Sequence, residues 1–407
     1  MRIVLTTCGS RGDVQPMMAL TLALMKKGHD CLLAGPPEKS GWAKSLGCPY
    51  MPFGRDVTAL IDSMDSVLSV RSMVAFIKFV REETVFQLKA LAPLFKDADV
   101  AVASSLMFGA STVAEKLKRP YRYVAFTPQL FASSEHPFPV VQHQGLPRTL
   151  NRASWIAARL FDRFNITRVL NRYRKTDNLP LLSDAWDHIL GDRPILACDK
   201  AVAKVPRDVT KKVIQTGYLH LEIPLELNRQ VLNFIEKGRP VVYAGFGSMP
   251  PLDQKQKVTD LIKAAKATGC RMIIAAFWQQ EDLLEIDPDV LFVRQAPHRL
   301  LFPLMDLIIH HGGAGTTATA AAAGKPQIIV PHILDQCYHG QKLFESGIAA
   351  RPILLKHMNS CTLETAMADL LGSRPIKLKA EQVGQSIDTQ KSLKSAVRAV
   401  EACELGK

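Results

Sequence analysis

Three clusters in the 407-residue chain carry side chains able to do chemistry. The first is Gly9-Ser10-Arg11-Gly12-Asp13, just after the apolar run Ile3–Cys8. A carboxylate is a weak base near neutrality, so Asp13 could deprotonate a hydroxyl only if held close to it and partly out of water. The second is His310-His-Gly-Gly-Ala-Gly-Thr-Thr317. Gly312, Gly313 and Gly315 let the backbone approach a ligand, and a helix opening behind them offers free N–H groups and a positive dipole end, a seat for phosphate. His311 can donate to that phosphate, and Thr316 and Thr317 can add hydroxyl bonds. The third is Asp335-Gln336, twenty residues past Gly315. An acid and an amide beside a phosphate seat suit the recognition of sugar hydroxyls. Gly245-Phe-Gly247-Ser248 is one more glycine turn able to face phosphate.

Each group also has an ordinary structural use. Asp is favoured at helix starts, so Asp13 taken alone reads as a cap or turn residue. Adjacent side chains of a strand point to opposite faces, so only one of His310 and His311 can face the glycine turn. Asp335 could cap the following helix, and Ser248 could be a plain turn serine.

The elements around these clusters are those of a doubly wound α/β chain. Ile3–Cys8 reads as a strand and Pro16 as the opening of a helix running to about Lys27. Strand, glycine turn and helix recur at Met305–Ala323, and Gln327–Val330 reads as the next strand. Ligands bind such sheets outside the carboxyl ends of the strands, which places Ser10–Asp13 and His311–Thr316 at sites. A chain of this length exceeds one core and predicts two domains of roughly 200 residues. The expected division is a first Rossmann-like domain at 1–216, a polar linker at 217–235, a second Rossmann-like domain at 236–384, and a C-terminal helix at 385–407 crossing back to the first.

The stretch HHGGAGTT, followed by Pro331 and Asp335-Gln336, resembles the donor signature of the inverting, nucleotide-sugar-dependent glycosyltransferases of family one. It is most similar to the sterol and glycopeptide-aglycone glucosyltransferase branch. The plant form of the signature carries Trp and Asn where this chain has Ala314 and Gly315. Gly9–Pro16 resembles the opening loop of the same enzymes, about three hundred residues away on the chain. The resemblance implies a GT-B fold, two Rossmann-like domains facing across a cleft. It implies Asp13 as general base, and a donor site of Ser10, Arg11, Gly247, Ser248, Gln295, His298, His311, Gly313, Ala314, Gly315, Thr316, Asp335 and Gln336. Plant members carry Trp at the position of Gln295. Asp287-Pro-Asp289 has the spacing with which other glycosyltransferases hold a divalent ion, but it lies in a Pro-bearing loop away from every glycine turn. It reads as an exposed turn, so no metal and no cofactor is expected beyond the nucleotide-sugar itself, UDP-glucose or a dTDP-sugar.

Phe126–Pro147 reads as a long Pro- and His-bearing loop, and such loops tend to be functional. Phe126, Leu130, Phe131 and Phe138 could line a cleft for an apolar acceptor. The basic stretch Arg148–Lys175 follows, with eight cations against one acid, Asp162. It supplies +7 of the net +13, so the charge is one local surface, which argues against a nucleic-acid protein. Arg148, Arg152, Arg159 and Arg163 fall on one helix face. That face is either solvated or laid on an anionic membrane.

The 47% apolar and 22% charged fractions are those of a globular protein. No run reaches the ~18–20 apolar residues of a membrane span, and no signal peptide is evident. Eight scattered cysteines without CxxC spacing fit reduced thiols. The expected location is the cytoplasm, with peripheral contact to the inner membrane face as an extension of the basic helix. The expected activity is transfer of a hexose, glucose first, to a hydroxyl of a small lipophilic acceptor such as a sterol, terpenoid, polyketide, phenolic or lipid. A dTDP-deoxysugar transferase, a UDP-sugar 2-epimerase and a non-catalytic sugar-nucleotide-binding protein are the alternatives.

Overall fold

The computed structural model describes residues 1–57, 70–223, 226–238, 240–247, 253–275, 287–294 and 296–403. Two wholly parallel sheets organise them. The first holds β1 (Arg2–Cys8), β2 (Asp30–Gly35), β3 (Tyr50–Pro52), β4 (Val100–Ser105), β5 (Tyr121–Ala125), β6 (Ile195–Leu196) and β7 (Ile214–Gln215), in the order β3-β2-β1-β4-β5-β6-β7. The second holds β8 (Val241–Gly245), β9 (Arg271–Ala275), β10 (Val290–Val293), β11 (Leu307–His310) and β12 (Gln327–Ile329), in the order β10-β9-β8-β11-β12. Helices cover both faces, which is why Ile3-Val-Leu5 and Leu307-Ile-Ile309 read as unbroken apolar runs and are wholly buried. In each sheet the winding direction reverses next to the first strand, between β1 and β4 and between β8 and β11. The loops leaving those four strands therefore border a crevice.

Helix α1 (Arg11–Met25) opens before Pro16, not at it, because Ser10 and Asp13 form a reciprocal capping box. Ser10–Asp13 is thus the cap and first turn of a helix. The basic stretch forms two helices, α2 (Arg148–Arg163) and α3 (Ile166–Thr176). Within 217–235, Tyr218–Leu221 are buried and Arg229–Glu236 is a helix. Leu219 and Leu221 join the core cluster around Ile3, Leu5 and Leu20, so apolar burial replaces the polar linker expected there.

In the second half, α4 (Ala314–Ala322) follows β11 and α5 (Asp335–Glu345) follows β12. Helices α6 (Arg374–Ser386) and α7 (Thr389–Glu401) close the chain. Ala396, Val397 and Val400 of α7 pack into the core under β1. Glu401 Oε1 lies 3.0 Å from His29 Nε2, and Arg122 Nε donates to the Ala399 carbonyl at 3.3 Å. The last helix is therefore built into the first sheet's core.

Where α4 meets α6, two glycines pack back to back. A Cβ at Gly384 would sit 2.8 Å from the backbone N and Cα of Gly324 and 3.2 Å from the Ala321 carbonyl. These are rigid backbone atoms. Gly384→Ala is expected to destabilise the fold by about 1–3 kcal/mol in denaturant melts, the range of overpacking. An unchanged midpoint would mean that α6 shifts freely.

Among the described residues no helix is long and apolar enough to cross a membrane. All eight cysteines are unpaired, and all but Cys361 are buried.

Candidate active site

Asp13 sits at the mouth of the first sheet's switch point. Its Oδ2 accepts the Ser10 backbone N–H at 2.7 Å and the Ser10 hydroxyl at 3.1 Å. Its Oδ1 accepts the Ser105 hydroxyl at 2.6 Å, from the end of β4. An ionised carboxylate offers about four acceptor sites. Three are used, which leaves one on Oδ1 for a further hydroxyl. The capping use and a chemical use of Asp13 therefore coexist. The carboxylate folds back over Gly9, where a Cβ would lie 2.2 Å from Asp13 Oδ2.

Asp13 keeps a little solvent access while protein surrounds it on most sides. Loss of water around it raises its pKa, the bonds from Ser105 and Ser10 oppose that rise, and the charge of Asp335 adds to it. The result is a carboxylate more basic than usual, facing a crevice.

The second sheet holds the glycine turn expected to seat phosphate. His310 is core: its Nδ1 accepts the Gly312 N–H at 3.0 Å and its Nε2 donates to Gln327 Oε1 at 2.8 Å. Burial pushes it down to about 4, so it is neutral. His311 points the other way, as strand alternation requires. Its ring fills the space that side chains at Gly247 and Gly313 would take, with Cβ positions 2.9 and 2.5 Å from its Cε1 and Nε2. Burial, then the neighbouring His310, His332 and His298, hold its pKa well down. A neutral His311 carries one N–H; its Nε2 lies where a Cβ on Gly313, the residue before α4, would be 2.5 Å away, and the Gly245 carbonyl also meets the ring. Gly313 is the N-cap of α4 and no side chain caps it, so the N–H groups of Ala314, Gly315 and Thr316 face the crevice without a capping partner.

His298 bonds to the Tyr243 hydroxyl at 2.9 Å and stacks on Phe302 with centroids 4.4 Å apart. Burial and then the charge of Arg11 push it down to about 3. Arg11 is the first residue of α1, which follows β1 of the first sheet, so the two halves meet here. Tyr218 also bridges them: its hydroxyl lies where a Cβ on Gly315 would be 2.6 Å away, and Asp13 is near enough to raise its pKa. No local sequence signal marks Tyr218, because its role depends on the packing of two sheets.

Asp335 is the first residue of α5, and Leu334 before it has φ +49° and ψ −128°. Only Ser105, Lys118, Asn178 and Leu334 among the described non-glycine residues have positive φ. Two of the four therefore hold the site's carboxylates, Ser105 by its bond to Asp13 and Leu334 by presenting Asp335. Such strain persists where surrounding structure enforces it. His339 Nδ1 lies 2.9 Å from the Gly312 carbonyl and 3.7 Å from Asp335 Oδ2, tying α5 to the glycine turn. Gln336 Oε1 accepts the His332 and Ile333 N–H groups at 2.7 and 3.0 Å. Its oxygen thus shapes the loop, and only its amide N–H₂ can serve a ligand.

Asp335→Asn is expected to cost roughly tenfold in kcat/KM, the worth of a charged hydrogen bond to a sugar hydroxyl. It should also move the acid limb of the kcat/KM profile to lower pH. The Asp335 charge raises the Asp13 pKa, and removing it lets Asp13 ionise earlier. An unmoved limb would show the two carboxylates uncoupled.

Ser248 and Gln295 lie outside the described residues. Of the expected acceptor residues, Phe131 is sealed in the core and cannot line a cleft. Phe126 and Leu130 are half-buried. Phe138 packs edge-on against Trp155 at 5.1 Å and Trp186 at 5.8 Å. His136 joins Trp155 to Tyr338 of α5, so this aromatic group spans both halves. Trp155 hides in sequence inside the basic helix, and Trp186 in a separate short one. Asp287 pairs with Lys266 at 2.8 Å and Asp289 with Arg271 at 2.9 Å. Among the described residues no group of three His, Cys, Asp or Glu could hold a metal ion.

Residues 3–134 match the glycosyltransferase family 28 N-terminal domain, and residues 260–402 match the erythromycin biosynthesis protein CIII-like C-terminal domain. The vancomycin aglycone glucosyltransferase of Amycolatopsis orientalis is 30% identical over 378 residues, covering 90% of each chain. The sterol 3-beta-glucosyltransferase UGT80B1 of Arabidopsis thaliana is 28% identical over 419 residues, covering 98% of this chain and 67% of that one. Among solved structures, the calicheamicin glycosyltransferase CalG4 superposes with a TM-score of 0.76 at 16% identity, over 100% of this chain and 98% of its own. That last likeness concerns the fold.

Proposed function

This chain belongs to the GT-B glycosyltransferases that include the glycopeptide-aglycone and sterol glucosyltransferases, and from that premise we propose that it moves glucose from UDP-glucose to a hydroxyl of a small lipophilic acceptor. The observation that carries the reading is the meeting of Asp13, with one free acceptor site, and the uncapped start of α4 in one crevice. The acceptor hydroxyl gives its proton to Asp13 Oδ1 as its oxygen attacks the anomeric carbon. The bond from that carbon to the diphosphate breaks on the opposite side, and the configuration inverts. The start of α4 and the His311 N–H take up the charge growing on the diphosphate, the task a metal ion performs in other phosphate chemistry. Asp335 and the Gln336 amide hold sugar hydroxyls. Phe138, Trp155 and Trp186 offer the acceptor an aromatic wall, and the two named relatives are by their names glucosyltransferases of the vancomycin aglycone and of a sterol.

The test is ligand protection followed by transfer. Melting of the full chain is followed with UDP, dTDP, UDP-glucose and dTDP-glucose, with EDTA present. A ligand at a hundred times its Kd adds about 2.7 kcal/mol, a shift of a few degrees. UDP compounds are expected to protect, and UDP-glucose then to glucosylate members of a sterol and polyketide panel. Protection by dTDP compounds instead would make the donor a dTDP-sugar. Protection by neither would overturn the donor seat at His311–Thr316.

A further inference from the structure

We propose that the outward face of α2 docks this protein on an anionic lipid surface. Five large apolar side chains of α2 and its C-cap are turned to solvent: Leu150 (52% exposed), Ile156 (60%), Leu160 (50%), Phe161 (55%) and Phe164 (72%). With Ala153 and Ala157, also exposed, they fall within about 140° of the helix circumference. The opposite side buries Asn151 and Trp155. An ordinary surface helix turns its apolar stripe inward, and this one turns such a stripe outward along its whole length. Contiguous exposed apolar area of this kind marks a binding face.

Charge selects the occupant. Exposed Arg152 and Arg163 border one edge of the stripe, and exposed Arg148 lies beyond them. Arg168 and Arg172 of α3 are exposed as well. Arg159, expected from sequence to share the cationic face, is instead half-buried and bonded to Asp184 at 3.0 Å and Asp187 at 3.5 Å. The single acid of α2, Asp162, accepts the Thr167 hydroxyl at 2.7 Å and is mostly withdrawn from solvent. The outer side of α2 therefore holds apolar groups and cations that have no ion pair among the described residues. A second copy of the chain would bring the same arginines against each other around a two-fold axis. A bilayer with anionic headgroups accepts both features at once: acyl chains take Phe161 and Phe164, and phosphates take the arginines.

The placement also fits the acceptor. The inner side of α2 carries Trp155, which packs on Phe138 and Trp186. One helix thus separates the lipid-facing stripe from the aromatic wall, so a lipophilic acceptor dissolved in the bilayer would have a short way in. This last point rests on the acceptor reading above; the docking itself does not.

The test is flotation of the full chain with vesicles of phosphatidylcholine alone or with phosphatidylglycerol, without donor or acceptor. Its failure is therefore separable from failure of the transfer reaction. The protein is expected to float with anionic vesicles and to be released by salt, since the Debye length falls to about 3 Å at 1 M. Phe161→Ser with Phe164→Ser should weaken binding by at least roughly tenfold, because two exposed phenyl rings would lose their burial. Arg152→Glu with Arg163→Glu should remove the preference for anionic lipid. Both double variants replace exposed side chains, and unchanged circular dichroism melts verify their folding. Absence of flotation with either vesicle would overturn the proposal, as would variants that float like the parent. Light scattering gives the rival outcome: a dimer that the Phe variant dissociates would assign the face to a second copy.

Discussion

Asp13→Asn is expected to lower kcat by about a thousandfold while leaving donor protection in place, the scale on which a positioned general base contributes. The substitution keeps the shape of the capping box, because an amide oxygen can still accept the Ser10 N–H. The fold should not suffer. The native pKa of Asp13 is raised, chiefly by loss of water. An unfolded Asp titrates near about 3.9. The stabilising contribution of such a group is complete below that value and is lost as pH rises through the native pKa. At neutral pH the ionised carboxylate therefore counts against folding, and Asn removes that cost. The melting temperature of Asp13→Asn at neutral pH should equal or exceed that of the parent. The same sign governs the parent's rate: kcat/KM should fall on the acid side at a pH above the usual carboxylate range. A variant that keeps more than a tenth of the parent's kcat, or that loses donor protection, would remove Asp13 from the role of base.

Gly9→Ala is expected to cost about a hundredfold in kcat without replacing the base itself, the penalty of a reacting group misplaced by an ångström. A Cβ there would stand 2.2 Å from Asp13 Oδ2, 2.4 Å from its Cγ and 2.9 Å from its Cβ. The whole carboxymethyl group must swing away. It would leave the Ser10 and Ser105 bonds that aim the free lone pair into the crevice. Stability should fall by about 1 kcal/mol, the worth of a capping interaction. The decisive comparison is the double variant. If Gly9 acts only through Asp13, Gly9→Ala with Asp13→Asn should be no slower than Asp13→Asn alone, since effects within one working unit do not add. Additive losses would mean that Gly9 serves something else, such as close approach of the ligand to the backbone.

The docking face and the crevice differ in how they could be found from the chain. Arginine spacing put Arg159 on the cationic face, but the ion pairs with Asp184 and Asp187 join segments whose contact no helical period encodes. Its apolar ring in the long loop marked Phe131 for an acceptor cleft, whereas the core closes around it, and the rings that cluster nearby are those of Phe138, Trp155 and Trp186.

The glycine turns, the helices behind them, the strands that flank them and the donor signature were legible in the chain because each is short-range. A capping pair such as Ser10 and Asp13 is three residues apart, and His310 and His311 are divided by strand alternation alone. Tertiary structure decided what meets across long separations. Ser105 reaches Asp13 because β4 lies beside β1. Tyr218 reaches Gly315, and the charge of Asp335 reaches Asp13, because two switch points open toward one crevice. Those contacts depend on strand order and on the packing of one sheet against another. Neither quantity has a local period, so no window of sequence could hold it.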